Sequence, residues 1–357
     1  MRPAYFFGFI VIPLLLWLVA FNVREVGQNW SVFGFSYGKL LPFLERDASQ
    51  SAKTTVHLVG DVMLARNVEV LSKRNGFDYP YRQLNFVNSE TDYLVGNFES
   101  AIPKKHQLTP SFTFNFSTDK RLLPALKEVG FTHLSLANNH TLDYGKDGYL
   151  NALSALSKAE LEAFGHPTKV DNGSFSILEV GQTKIAIVGI HTVFGLPNTD
   201  DLHKTIANAE KLSDWQIAFV HWGDEYVPAN QNQRNFAKKL IEDGVDLIVG
   251  HHPHIVQGVE KIDGVLVFYS LGNFIFDQYF STAVQEGLLL SLENTTDKNF
   301  SMTLRPVTSV GSLSQPRLMS GDETTNFLNK LAVLSGEEVK EEIENGYFLE
   351  AFPLQLP

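Results

Sequence analysis

Five places along the chain set a metal-binding side chain at the end of a short apolar run. They are Asp61, Glu99, Asn139 with His140, His221, and His252 with His254. The richest is DLIVGHHPH, residues 246–254, where a buried-strand pattern empties into three histidines around Pro253. Imidazoles on the loop after a buried strand are where an α/β protein presents metal ligands. In the His252-x-His254 pair, Pro253 stiffens the backbone, so neighbouring rings can face two ions, or one ion and a substrate. Any single strand end of this kind can be an ordinary turn. Five in succession cannot be assigned to turn chemistry, which has no need of histidine. The set mixes carboxylate, amide oxygen and imidazole. That mix suits Mn²⁺, Fe or Zn²⁺ and disfavours Cu(I) and iron–sulfur clusters. One or two such ions would activate a water and polarise the bond to be split. Neutral imidazole is the binding form, so metal uptake is expected to weaken below the unperturbed histidine pKa of about 6.5.

The strands that must position these groups alternate with helices. TVHLVGD, DYLVGNFES and THLSLANNH end at Asp61, Glu99 and His140, and a helix is expected over about residues 146–161. FSILEVGQTKIAIVGI reads as a hairpin about Gly181-Gln182. WQIAFVHWG ends at His221, and QNQRNFAKKLIEDG has helical period and stops at Gly244. After the histidine-rich strand come VLVFYSLGNF, read as one strand, and the amphipathic strands EGLLLSLEN and FSMTLRPVT. The last fifty or so residues are acidic and partly helical, expected on the outside. The pattern predicts two sheets flanked by helices, with the polar groups at the strand carboxyl ends.

Composition narrows the function. The chain has 357 residues, 44% hydrophobic and 19% charged, enough for a substantial core. A formal net charge of −11 argues against nucleic acid, whose phosphates select a basic face, and a polyanionic substrate would need a local basic pocket. With no cysteine, disulfides and zinc–thiolate sites are excluded. AYFFGFIVIPLLLWLVAF, residues 4–21, is uncharged and about 27 Å long as a helix, close to a bilayer core. No small-x-small cleavage site follows it. The reading is a single-pass anchor over residues 1–23 and a tether over 24–53, with the weak charge bias placing the body outside the cytoplasmic membrane.

The ordered motifs GDVMLAR (60–66), NFES (97–100), NNHTLDYG (138–145), HWGDEY (221–226), GHHPH (250–254) and SLGNFIFD (270–277) resemble the CapA/PgsA family of bacterial capsule proteins. That family is associated with poly-γ-glutamate synthesis and is similar in fold to the calcineurin-like metallophosphoesterases. The resemblance implies an α/β fold, a four-layer α-β-β-α sandwich over residues 54–310, with 311–357 as an acidic extension of the same domain. It implies a membrane-anchored, extracytoplasmic body that meets poly-γ-glutamate and the subunits of a membrane synthase.

Carried over residue by residue, the resemblance makes Asn139, His221 and His252 ligands of one metal, and Asp61 and His254 ligands of another. Glu99 falls at the bridging acid, and His140 at the histidine that protonates a leaving group. The chain departs from the phosphoesterase D-x-H motif, since position 63 is Met. Loss of that imidazole weakens one metal position and leaves the ion count at one or two. Beside these, Asp143 either orients the His140 ring or caps a helix. Arg66 either pairs with a substrate carboxylate or forms an ordinary ion pair. Glu225 faces the pocket as a substrate contact, and Asn273 either touches ligand or satisfies turn backbone. Three functions stay open: a metal-dependent hydrolase or transferase acting on γ-glutamyl amides, a non-enzymatic accessory subunit of a polymer synthase, and a phosphoesterase acting on an envelope compound.

Overall fold

The computed structural model describes residues 54–84, 93–295 and 299–352. The expected anchor and tether lie outside these residues, and among the described residues no helix is long and apolar enough to cross a membrane. Among the described residues, fifteen strands form two sheets. The first runs β14 (Arg317–Leu318), β13 (Phe300–Thr308), β12 (Glu286–Asn294), β1 (Thr55–Val62), β2 (Tyr93–Phe98), β3 (Phe131–Ser135), β4 (Glu162–Phe164). Two short strands join it: β11 (Asn273–Ile275) on β1 and β15 (Tyr347–Phe348) on β13. The second runs β5 (Phe175–Val180), β6 (Thr183–His191), β7 (Trp215–His221), β8 (Leu247–His251), β10 (Val265–Phe268), β9 (Val259–Ile262).

Three apolar cores explain the layering. Parallel strands covered on both faces read as near-continuous apolar runs, as β1, β7 and β8 do, with every residue buried. Between the sheets, Val56 and Leu58 of β1 share a core with Ile185, Ile187 and Phe219 of the second sheet. On the outer face of the first sheet, helices α1 (Arg66–Asn75), α2 (Leu123–Glu128) and α3 (Gly145–Lys158) bury Val68, Leu126 and Leu156 against Val59 and Leu94. On the outer face of the second, α4 (Thr199–Glu210) and α5 (Gln231–Glu242) bury Ile206 and Leu240 against Val188 and Val220.

Two expectations are corrected. The acidic carboxyl-terminal stretch is not merely external. Its helices α6 (Asp322–Leu334) and α7 (Lys340–Asn345) place Phe327, Leu328, Leu331 and Ile343 in the central core, with their acids turned outward. The run VLVFYSLGNF is two strands. β10 belongs to the second sheet and β11 to the first, and the chain crosses between them at Gly272, whose φ of +67° suits glycine.

Parallel pairing brings the polar strand ends into two rows. Asp61 is in register with Asn97 and Asn273 in the first sheet, and His191, His221 and His251 are in register in the second. Glycines let the rows close. A Cβ on Gly60 would meet the Gly272 carbonyl oxygen at 1.9 Å, and one on Gly250 would meet the Tyr269 carbonyl oxygen at 2.0 Å. The sheets touch at this end, where the His251 ring nitrogen Nε2 lies 3.2 Å from the Val59 carbonyl oxygen.

Candidate metal centre

The strand rows deliver the ligand side chains to one buried point. Glu99, His221 and His252 place one ligand atom each within 4.8 Å of one another, as do Asp61, Glu99 and His254. Glu99 belongs to both triads. All five side chains are buried. A third grouping joins the exposed Glu225 to His252 and His254.

Burial without a partner is the observation that tests the fit to a cation. Glu99 Oε1 and His252 Nδ1 are buried and make no hydrogen bond. Around Glu99 Oε1 stand His254 Nε2 at 3.6 Å and His140 Nε2 at 3.8 Å. Leaving buried acceptors unsatisfied costs about 1–3 kcal/mol each, more when charged, and a cation would supply what these atoms lack. The donor set of carboxylate and imidazole fits Mn²⁺, Fe or Zn²⁺.

The two triads differ in charge. Burial, reinforced by His252, holds His221 well below the usual histidine range. Burial, reinforced by His254, pushes His252 down to about 3. Both rings are therefore neutral and ready to bind metal. His254 is the reverse case. Burial alone would depress it, but Glu99 and Asp61 overcome burial and push it up to about 9. Burial and the neighbouring Asp61 hold Glu99 well above the ordinary carboxylate range. Burial would raise Asp61 too, but its bonds with His254 and Asn97 keep it low.

The backbone at this point is strained. His252 has φ +95° and His254 φ +58°, on either side of Pro253, and Arg66 (+49°) and Tyr226 (+62°) sit at the rim in the same left-handed region. Non-glycine residues adopt it at a cost of about 1–3 kcal/mol each, and such strain clusters at functional sites.

Each remaining candidate has a definite place. Asn139 Oδ1 accepts from His221 Nε2 at 2.8 Å, beside the first triad. Asp143 Oδ2 lies 2.8 Å from His140 Nδ1 and also accepts from the Phe116 backbone N–H, so it orients the ring. Phe116 stacks on that ring at 3.9 Å. Arg66 is engaged by Asp277, its Nε 3.1 Å from Oδ1, and its guanidinium lies 4.5 Å from the Phe116 ring centre. Arg66 thus stands in an ion pair with Asp277 and also lines the cleft over the centre, with Glu225. Asn273 does not face that cleft. Its Oδ1 meets His254 Nδ1 at 3.0 Å and its Nδ2 donates to Val284 and Gln278, so it orients His254 from behind. Met63 is fully buried in the core under α1.

Sequence reasoning passed over Asn97. Its Nδ2 lies 2.9 Å from Asp61 Oδ1, 3.1 Å from His221 Nδ1 and 3.3 Å from Glu99 Oε2, tying the triads together. Its signal was present: an amide inside the apolar run YLVGNF must be satisfied somewhere. Asn138 was also missed as an organiser. Its Oδ1 accepts from the backbone N–H groups of His140 and Thr141, fixing the loop that carries Asn139 and His140.

Residues 55–278 match the family model described as bacterial capsule synthesis protein PGA_cap. The chain is 33% identical over 237 residues to the PGA biosynthesis protein CapA of Bacillus subtilis (strain 168), covering 62% of each. It is 33% identical over 251 residues to the capsule biosynthesis protein CapA of Bacillus anthracis, covering 64% of this chain and 61% of that one. The matched region thus spans about three fifths of these relatives. Among solved structures, a novel phosphatase from Mycoplasma pneumoniae aligns with a TM-score of 0.44 at 14% identity, over 75% of this chain and 91% of that one.

Proposed function

The chain belongs to the bacterial capsule synthesis protein PGA_cap family, and from that premise we propose that its buried centre is a divalent-metal site acting on a γ-glutamyl amide during poly-γ-glutamate synthesis or release. The observation that carries this reading is the pair of ligand triads sharing Glu99, with Glu99 Oε1 and His252 Nδ1 buried and without a hydrogen bond. Glu99, His221 and His252, with Asn139 beside them, would hold one ion. Asp61, Glu99 and His254 would hold a second, in a metallophosphoesterase-type α-β-β-α sandwich. A divalent cation bound there supplies Lewis-acid polarisation of the scissile carbonyl.

The chain's own residues supply the rest. Asp143 holds His140 at Nδ1, which leaves Nε2 facing the centre as the atom that would hand a proton to the departing amine as the C–N bond breaks and a water takes its place on the acyl carbon. Phe116 covers one ring face and keeps water from it. Asn97 keeps the ligands of both triads at fixed separations. The family setting and the uncharged run at residues 4–21 support a single-pass, membrane-anchored protein with an extracytoplasmic body, placed beside synthase subunits. Protease shaving of intact cells tests that placement: the body should be digested, and its protection would count against it.

A second reading, an accessory subunit without turnover, is favoured by Met63. The D-x-H imidazole of the phosphoesterases is missing, and its replacement is buried away from the centre. The third reading, an envelope phosphoesterase, shares the same centre. One experiment separates the three. A deletion strain is complemented with His140→Ala, and the purified chain is assayed on γ-linked polyglutamate and on phosphate esters. The enzyme reading expects metal and fold retained, with turnover lowered by roughly 10² to 10⁴, the range for a lost general acid. Full polymer output from His140→Ala supports the accessory role, and cleavage of phosphate esters alone supports the phosphoesterase.

A further inference from the structure

A polyanion handled by a chain of net charge −11 needs local positive charge, and the structure gathers it in one place near the centre. On helix α1, Glu69 is fully buried, and Lys73, one turn further on, reaches its Oε1. His106 Nε2 stands 2.7 Å from the same oxygen. Lys73 Nζ also lies 3.6 Å from Oδ2 of Asp119, which pairs in turn with Arg121, Nε to Oδ2 at 3.0 Å. The two carboxylates are underneath, 0% and 5% exposed, while Lys73 and Arg121 are exposed. Solvent therefore meets the bases and not the acids that hold them. Arg74, Lys104, Lys105 and Lys120 each lie within two residues of a member of this cluster. All four are exposed, and none has an ion-pair partner among the described residues. The cations thus outnumber the carboxylates, and those carboxylates do not reach the surface.

Two elements run from this face to the centre. Helix α1 begins at Arg66, on the wall of the cleft over the centre, and reaches Lys73 seven residues later, about 10 Å along its axis. His106 Nδ1 is 2.7 Å from Ser117 Oγ, and the residue before Ser117 is Phe116, which stacks on His140. A polymer with one linkage at the centre therefore has its following residues within reach of the basic face. A single exposed ion pair is weak, so the face favours a partner that offers many carboxylates on one chain. Each carboxylate held there raises the effective concentration of the linkage at the centre. An anionic membrane has the charge but no chain that continues into the cleft.

We propose that the basic face formed by the last turn of α1, residues 104–106 and residues 120–121 is a docking surface for a polycarboxylate chain, poly-γ-glutamate, beside the metal centre. The proposal rests on the reading that the centre acts on that polymer, and it adds where the rest of the polymer is held. Binding is measured by calorimetry on the purified full chain, at low and high salt, with poly-γ-glutamate and phosphatidylglycerol vesicles as separate probes. The polymer should bind saturably and more weakly as salt is added. Lys105→Glu/Lys120→Glu should weaken polymer binding about tenfold or more and flatten its salt dependence, with metal content unchanged. Lys204→Glu/Lys211→Glu makes the same change in net charge at exposed positions on and just after α4, on the outer face of the second sheet. It should leave polymer affinity within about twofold, because charges more than a Debye length apart are screened. Polymer binding should persist in His252→Ala, so failure of the docking surface and failure of the metal centre read out separately. Absence of saturable polymer binding overturns the proposal, as does its loss in His252→Ala. So does an equal effect of the two lysine pairs, or vesicle binding that depends on Lys105 and Lys120 while polymer binding does not.

Discussion

The two ligand triads share Glu99 and lie in the same buried end of the molecule, yet they reach neutrality by opposite routes. In Glu99–His221–His252, burial keeps both histidines neutral, so the triad presents one carboxyl and two uncharged imidazoles. In Asp61–Glu99–His254, two carboxyls outweigh burial and keep a proton on His254, pushed up to about 9. The imidazolium there does the work of a cation. The first triad holds no cationic side chain of its own; in the second, His254 already stands 3.3 Å from Asp61 Oδ2 and 3.6 Å from Glu99 Oε1. The difference leads to an expectation: if two ions bind, the Glu99–His221–His252 position fills first, and the second ion has to displace a proton from His254.

The sharpest way to break this comparison is Glu99→Gln. Removing the carboxylate common to both triads should take bound metal to near nothing, read by elemental analysis. Retention of a full ion would show that the triads are independent. Next in size is His252→Ala, which should empty the first position, whereas His254→Ala should spare it and affect the second alone. Equal losses from the two would erase the asymmetry.

The pH dependence follows from the signs. Metal competes with the proton on His254, so uptake at the second position should strengthen as pH rises toward about 9 and then level off. Uptake at the first position is not set by histidine near 6.5, because His252 is neutral above about 3. It should instead weaken in acid as Glu99, held well above the ordinary range by burial, takes up its proton. Metal titrations of His254→Ala and of the unmutated chain across pH separate the two limbs; one shared limb near pH 6.5 would contradict the assignment. The smallest effect is expected from Asn273→Ala, which removes a partner of His254 Nδ1. It should weaken the second position by roughly 10- to 100-fold, as loss of an outer-shell partner does, and leave the first unchanged.

The residues of the two triads were legible because each ends a buried apolar strand, and parallel pairing brings such ends together without long-range information. Asp61, Glu99, His221, His252 and His254 all announced themselves in this way. What was illegible depends on which sheet a strand joins. VLVFYSLGNF has no break in polarity where it leaves one sheet for the other, and Gly272 alone marks the crossing. The carboxyl-terminal helices misled because their acids dominate composition, while Phe327, Leu328 and Leu331 decide packing. The pH expectation is revised for a related reason. An unperturbed histidine pKa says nothing of burial or of neighbouring charge, and here burial, reinforced by His254, pushes His252 down, while Glu99 and Asp61 overcome burial and push His254 up.

The central claim, that this buried cluster is a metal centre built around Glu99 and His252, is tested most directly by metal analysis of the purified chain. The chain is reconstituted with Mn²⁺, Fe²⁺ or Zn²⁺ near pH 8 and freed of excess ion. The account predicts at least one ion per chain with one of these metals, lost from that position in His252→Ala. Less than about 0.1 ion per chain with all three would contradict it, since a preorganised site fills stoichiometrically.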